Sequence, residues 1–231
     1  MVRVDFRPST ISEREEFYHI EFSIKKVKSW FKKHNLPLPQ ICALDAGTDT
    51  GIILEKKHKG NMLYFKFKDL IKKIKQYAPE DVYYDRNTYR NPKKVLNKLN
   101  FEDYQSQELV FDLDVENMAE DVNDKSLQKL YKITLKMKEE LEEKFEKVHI
   151  VYSGRGFHIH IGDKCTKVMT LPERKAINAE FIDYPIDPWV SKGFIRLIRM
   201  PYSLNAIVSR TVLPISKKFN PKKTYPKFMS E

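Results

Sequence analysis

Residues 109–117 read Leu-Val-Phe-Asp-Leu-Asp-Val-Glu-Asn, placing Asp112 and Asp114 two apart inside an apolar run. In an extended strand, Leu109, Phe111, Leu113 and Val115 point one way while Val110, Asp112 and Asp114 point the other. The two carboxylates then share a face, with Cα atoms about 6.6 Å apart and oxygens able to approach to roughly 4 Å. At that distance like charges repel by about 4 kcal/mol at an effective dielectric of 20. Protonation of one acid, a neighbouring Arg or Lys, or a bound divalent cation would each offset the repulsion. A strand with a solvated polar face is the plain structural alternative.

Two further blocks carry chemistry. In Tyr-Ser-Gly-Arg-Gly-Phe-His-Ile-His (152–160) a strand, turn and strand are expected, with Gly154 and Gly156 letting backbone amides approach an oxyanion. Ser153, Arg155 and His158 would add donors, making a cradle for a triphosphate, although any tight hairpin also needs small residues. His158 and His160 share a face as a zinc half-site would, but no further ligand follows at suitable spacing, so zinc is set aside. The block 186–205 supplies Asp187, then Lys192, Arg196 and Arg199. A third carboxylate followed by cations is what two-metal nucleotidyl transfer uses: ions about 3.5–4 Å apart, with Arg and Lys on the phosphates. If 194–199 is one strand, Arg196 and Arg199 face opposite sides.

The elements that must position these groups are legible in outline. A helix is expected over 12–35, capped by Ser12 with Glu15 and closed by Pro37 and Pro39. A strand follows at 62–67, a short helix at 69–77, and an aromatic, Arg-rich loop or strand at 83–92, whose tyrosines suit either base stacking or core packing. The clearest helix is 124–147, with Leu127, Leu130, Thr134, Met137, Leu141 and Phe145 on one face. Strands at 108–115, 148–152 and 157–161, a helix at 172–183, and two strands within 186–215 complete the outline. The expected fold class is α+β, a mixed or antiparallel sheet flanked by helices. The 231 residues are expected to form a single catalytic domain, with a basic, proline-punctuated tail over about 216–231 as a possible linker.

The chain has 42 Lys+Arg against 32 Asp+Glu, a formal charge of +10, which favours an anionic partner. Lysine runs lie at 25–28, 72–75, 217–218 and 222–223, though a lysine-rich source composition would produce them too. With only Cys42 and Cys165, a disulfide framework, a cysteine zinc ribbon and an iron–sulfur cluster are all excluded. The amino terminus Met-Val-Arg-Val-Asp-Phe-Arg-Pro has no signal-peptide stretch, and no apolar run reaches a membrane span. A cytoplasmic protein, or a nuclear one if the source is eukaryotic, is expected.

Taken in order, the three blocks resemble the motifs of the catalytic small subunit of archaeal and eukaryotic DNA primases, in the primase-polymerase superfamily. Asp112 and Asp114 match its D-x-D, with Tyr89–Pro92 echoing the Y-x-x-P that precedes it. Ser153, Gly154, Arg155, Gly156 and His158 match S-G-x-R-G-x-H, and Ile186–Leu204 match the I-D, V-S-K, R-L-I-R-x-P and S-L-H block. The match covers about 79–215. The resemblance implies that Asp112, Asp114 and Asp187 bind two Mg²⁺ or Mn²⁺ ions, and that Ser153, Gly154, Arg155, Gly156, His158 and Arg199 bind the nucleotide, with Lys192, Arg196 and Asn205 in supporting places. It further implies primer synthesis on single-stranded DNA from NTPs or dNTPs, and a large partner subunit or fused iron–sulfur domain. Three departures stand out: the second motif is one residue short, Asn205 replaces a His, and the cysteine-bearing zinc insertion is missing.

Two other readings compete. A D-x-D phosphatase or sugar-nucleotide transferase would use Asp112 and Asp114 but leaves the other two blocks without a role. A nucleic-acid-binding subunit without turnover is motivated by Asn205 and the shortened turn.

Overall fold

The computed structural model describes residues 6–47, 62–216 and 218–229. The amino-terminal Met-Val-Arg-Val-Asp, Lys217 and the last two tail residues therefore lie outside the described residues. In chain order the elements are α1 (Ile11–Glu16), a π-helical turn (Phe17–Glu21), α2 (Ile24–Lys33), β1 (Ile41–Asp45), β2 (Met62–Lys66), α3 (Leu70–Tyr77) and β3 (Asp81–Asp85). Next come β4 (Asn87–Thr88), α4 (Pro92–Lys98), β5 (Ser106–Gln107), β6 (Leu109–Asp114), α5 (Asp124–Glu142), β7 (Val148–Tyr152) and β8 (Gly156–Ile161). The chain continues through α6 (Leu171–Glu180), α7 (Pro188–Ser191), β9 (Leu197–Arg199), β10 (Leu204–Asn205), β11 (Arg210–Thr211) and β12 (Leu213–Ile215).

Two four-stranded antiparallel sheets, β2-β1-β3-β9 and β12-β7-β8-β6, carry the α+β fold. Alternation along β6 sorts its residues as expected. Leu109, Phe111 and Leu113 join Ile150, Phe157 and Ile159 in a core closed by Leu127, Leu130, Met137 and Leu141 of α5. On the other face, Val110 and Val151 join a second core with Leu44, Val82, Tyr84 and Ile198 of the first sheet and Val27, Trp30 and Phe31 of α2. Asp112 and Asp114 thus sit on the face turned toward the first sheet. Helix α5 covers the other side.

The expected single helix over 12–35 is interrupted. Thr10 rather than Ser12 caps its start, sharing a capping box with Glu13, whose carboxylate also pairs with Arg7. Phe22 is extended (ψ 131°) and Ser23 caps α2 through a bond from the Lys26 amide, so the chain restarts instead of continuing. Helices α5 and α6 end earlier than their apolar spacing suggests, and only 197–199 of the expected 194–199 strand pairs. The tail is not a free linker where it is described. Phe219 packs on Tyr131, Tyr152 and Phe157, and the Lys227 amide donates to Glu21.

The His34 and His149 rings pack against each other between α2 and β7, centroids 3.8 Å apart and planes tilted by 51°. Each has its pKa pushed down to about 4: burial is the main cause for both, followed by Lys33 for His34 and by His34 for His149. An unfolded histidine binds a proton near pH 6.5, so the unfolded chain holds more protons between pH 6.5 and 4 and stability falls as pH drops through that window. The expected loss is about 1–2 kcal/mol for the pair once solvent screening of the partly exposed rings is allowed for. Thermal melts at pH 7 and pH 4.5 check it: a double His34→Gln, His149→Gln variant should flatten the pH dependence, and an unaltered slope would place the acid sensitivity elsewhere.

Candidate active site

The site grows from β6. Strand β8 pairs with it in the register Asp112↔His158 and Asp114↔Gly156, and an isolated bridge joins Leu113 to Ile186. That bridge brings the third block alongside: the Asp187 amide donates to the Asp112 carbonyl at 2.7 Å. Asp187 then caps α7, its Oδ1 accepting from the Trp189 amide at 2.8 Å. Asp187, distant in the sequence, is thereby brought to the end of β6 that carries Asp112 and Asp114.

Their charges are poorly compensated. The Asp112 carboxyl is pushed up to about 7, chiefly by burial and then by the charge of Asp114, with Asp187 adding to it against the opposing pull of Arg199. Asp114 is also raised by burial, although a bond from the Glu116 amide and the nearby Arg155 work against this. Asp114 and Asp187 each commit one oxygen to a backbone amide, and the second oxygen of Asp114 lies 3.7 Å from Arg155. Among the described residues, no three or more His, Cys, Asp or Glu side chains are gathered so that they could hold a metal ion as they stand. An all-oxygen carboxylate set of this kind suits a hard cation. Mg²⁺ in particular is commonly held by one or two carboxylates, waters and substrate phosphates.

The glycine turn joins β7 to β8. Gly154 has φ +110°, and a Cβ there would lie 2.4 Å from Asn205 Nδ2; one on Gly156 would lie 1.9 Å from the Leu113 carbonyl oxygen. The glycines are thus demanded by packing against β6 and Asn205, whatever the turn binds. Gly156→Ala is expected to force β8 away from β6, lowering the melting temperature by at least ~10 °C and removing activity with it. A variant with unchanged melting would show that the sheet yields there.

Ser153 is buried and its amide bonds the Gly156 carbonyl. Arg155 lies 2.6 Å from Glu116 and 3.7 Å from Asp114, so it borders the carboxylates. His158 sits behind Asp112, Nε2 to Oδ1 at 3.5 Å, 3% exposed, and burial holds it neutral. Asn205 is fully buried, donating from Nδ2 to the Ser153 carbonyl at 3.0 Å. It props the turn instead of facing solvent.

The cations of the third block part company. Arg199 binds Asp81 through two bonds of 2.8 and 2.7 Å. Burial opposes its charge, but Asp81, Tyr83 and Asp112 together more than offset that and keep it firmly protonated. Lys192 and Arg196 instead line a separate cleft of about 710 Å³, whose lining includes Phe101 and Phe194 but none of the three carboxylates. There Arg196 stacks on Phe101 at 3.6 Å and lies 3.2 Å from Asp85. Because the strand begins only at Leu197, alternation does not set where Arg196 points; Arg196 and Arg199 pair with different acids of β3, Asp85 and Asp81.

Sequence reasoning missed three carboxylates. Asp81 orients Arg199, Glu116 holds Arg155, and buried Glu108 bonds His160 at 2.9 Å and Tyr84 at 2.7 Å. The signal for Asp81 was the alternation Asp81, Tyr83, Asp85 on one strand face. In the Arg-rich segment, Tyr84 and Tyr89 are buried, Tyr89 bonding Asp85, and Asn91-Pro92 starts α4. Core packing accounts for both tyrosines.

No family model matches the chain. A DNA primase small subunit-like protein of Archaeoglobus fulgidus, itself uncharacterized, is 35% identical, covering 91% of this chain and 85% of that protein. DNA primase small subunits of Thermococcus sibiricus and Pyrococcus furiosus are 29% and 30% identical over 68% and 75% of this chain. The chain spans just under half of each, 45% and 49%. Among solved structures, the polymerase domain of Mycobacterium tuberculosis Ligase D, determined in complex with DNA, superposes with a TM-score of 0.51 at 10% identity, covering 94% of this chain and 86% of that one. At that identity the likeness speaks to the fold alone. Motif order, strand register and the extent of the Archaeoglobus match agree: the chain belongs to the DNA primase small-subunit-like family.

Proposed function

We propose that this protein is a template-directed nucleotidyltransferase that makes short primers on single-stranded DNA from nucleoside triphosphates, releasing pyrophosphate. The observation that carries the reading is the bond from Asp187 to the Asp112 backbone, which draws three carboxylates to one end of β6 beside the glycine turn. Asp112, Asp114 and Asp187 would hold divalent ions, Mg²⁺ or Mn²⁺, which when bound activate a 3′-hydroxyl and stabilise the leaving pyrophosphate. Asp112 and Asp114 fix one face of the site through the rigid strand. His158 behind Asp112 limits how that carboxylate turns. Arg199, held by Asp81, presents a fixed positive charge near the carboxylates, suited to a phosphate of the incoming nucleotide. Arg155, now on Glu116, would exchange that partner for a phosphate.

The test is synthesis on an unprimed single strand with Mg²⁺ or Mn²⁺, scored by product length and template-dependent pyrophosphate release. A large partner subunit carrying an iron–sulfur domain belongs to the same reading, so the assay is run with and without such a subunit. The second reading, a binding subunit without turnover, draws on one observation: Asn205 is buried and uncharged where the family has His. Strand binding with no product under either condition would favour it.

A further inference from the structure

A second groove, of about 800 Å³, lies between α2 and the β7/β12 edge of the second sheet. Lys25, Lys26, Lys33 and Lys138 line it, and no Asp or Glu does. Among the described residues, Lys138 alone of the four is in an ion pair, with Glu142 on its own helix at 2.5 Å. The floor is made of rings: Trp30, His34, His149 and Tyr202. Trp30 is 3% exposed, and neither its Nε1 nor the Nε2 of His149 has a hydrogen-bond partner among the described residues. The lysines help hold both imidazoles neutral, which reports an unbalanced positive potential. None of the three carboxylates lines this groove. By register, His149 pairs with His160 on β8, while Asp112 pairs with His158. That places His149 on the same sheet face as Asp112, two strands across and two residues along, about 12 Å away.

We infer that this groove binds a single nucleic-acid strand at a distance from the three carboxylates, the lysines holding successive phosphates and the ring-lined floor receiving an unpaired base. A cationic track beside aromatic platforms is how strands are held without sequence preference. Charge complementarity selects the occupant: a rim of lysines with no acid favours a polyanion over an apolar protein helix. The inference goes beyond the transfer reaction and does not require it.

The experiment measures anisotropy of a labelled oligodeoxythymidine over a salt series, for the full chain and for Lys25→Gln, Lys26→Gln, Lys33→Gln combined. These residues are exposed, so the variant should fold, which circular dichroism verifies. Affinity should fall at least about tenfold and the salt slope should flatten by about 2, three phosphates at roughly 0.7 each. The ring-proton resonances of His34 and His149 should move when the strand binds. In a synthesis assay the variant should raise the KM for template and spare kcat. Unchanged affinity and slope in the variant, or strand binding without movement of the histidine signals, would overturn the inference, as would a free nucleoside triphosphate displacing those signals as well as the strand does. If the chain binds the strand this way but makes no primers, the proposed function fails while the groove stands.

Discussion

Asp112→Asn is expected to abolish primer synthesis while leaving a folded and, without metal, more stable protein. The activity should fall about a thousandfold or more, because a carboxylate holding a catalytic ion contributes several kcal/mol to the transition state and each 1.4 kcal/mol is tenfold. The stability gain follows from the same feature. Burial and the charges of Asp114 and Asp187 make the Asp112 anion costly, pushing its pKa up to about 7. A raised carboxyl pKa means that the native state holds the proton more tightly than the unfolded one, so ionisation works against folding as pH rises from about 4 through 7. Removing the charge should recover on the order of 2 kcal/mol at neutral pH. Added Mn²⁺ should stabilise the original protein more than the variant. Thermal melts with and without the ion, alongside the synthesis assay, read all of this. A variant that keeps full activity removes Asp112 from the site; one that melts lower makes its charge structural.

Arg199→Ala is the second large effect. It leaves Asp81, 2% exposed, without its bidentate partner, and breaking a buried pair by removing one member costs about 3–5 kcal/mol. It also removes the fixed cation near Asp112. The double variant Arg199→Ala with Asp81→Asn separates the roles. Most of the stability should return, because the stranded charge is gone, while kcat/KM for the nucleotide should stay at least ~100-fold down. Arg199→Lys should keep the charge but lose the fork geometry and fall between the two. Full recovery of activity in the double variant would make Arg199 a structural partner of Asp81 and nothing more.

The face of β6 that carries the acids was readable because period-2 alternation depends only on local chemistry: an apolar row that fits α5 and a polar row that does not. Likewise, the order of three short blocks pointed to the family before any fold was drawn. What could not be read was how long-range partners are chosen. Nothing in the spacing of Arg196 and Arg199 told which would reach the carboxylates, since Asp85 and Phe101 claim one and Asp81 the other. Gly154 and Gly156 suggested an anion cradle, but their neighbours, Asn205 and the Leu113 carbonyl, come from elements 51 and 43 residues away in sequence. The break at Phe22 was hidden for a related reason: apolar spacing continues across it, and only the Ser23 cap marks the restart. The tail, polar in composition, is anchored by its few aromatics: Phe219 in a pocket built from β7, β8 and α5, Tyr225 under Arg210, and Phe228 on the core around α2.

The central claim is that Asp112, Asp114 and Asp187 together form the ion-binding end of a nucleotide site. Anomalous diffraction from crystals soaked with Mn²⁺ and a non-hydrolysable nucleoside triphosphate measures this directly. The predicted result is manganese density within coordination distance, about 2.0–2.2 Å, of oxygens from at least two of these residues, bridged to the triphosphate, with Arg199 on a phosphate oxygen. Manganese bound elsewhere, or a triphosphate seated away from the end of β6, would contradict it.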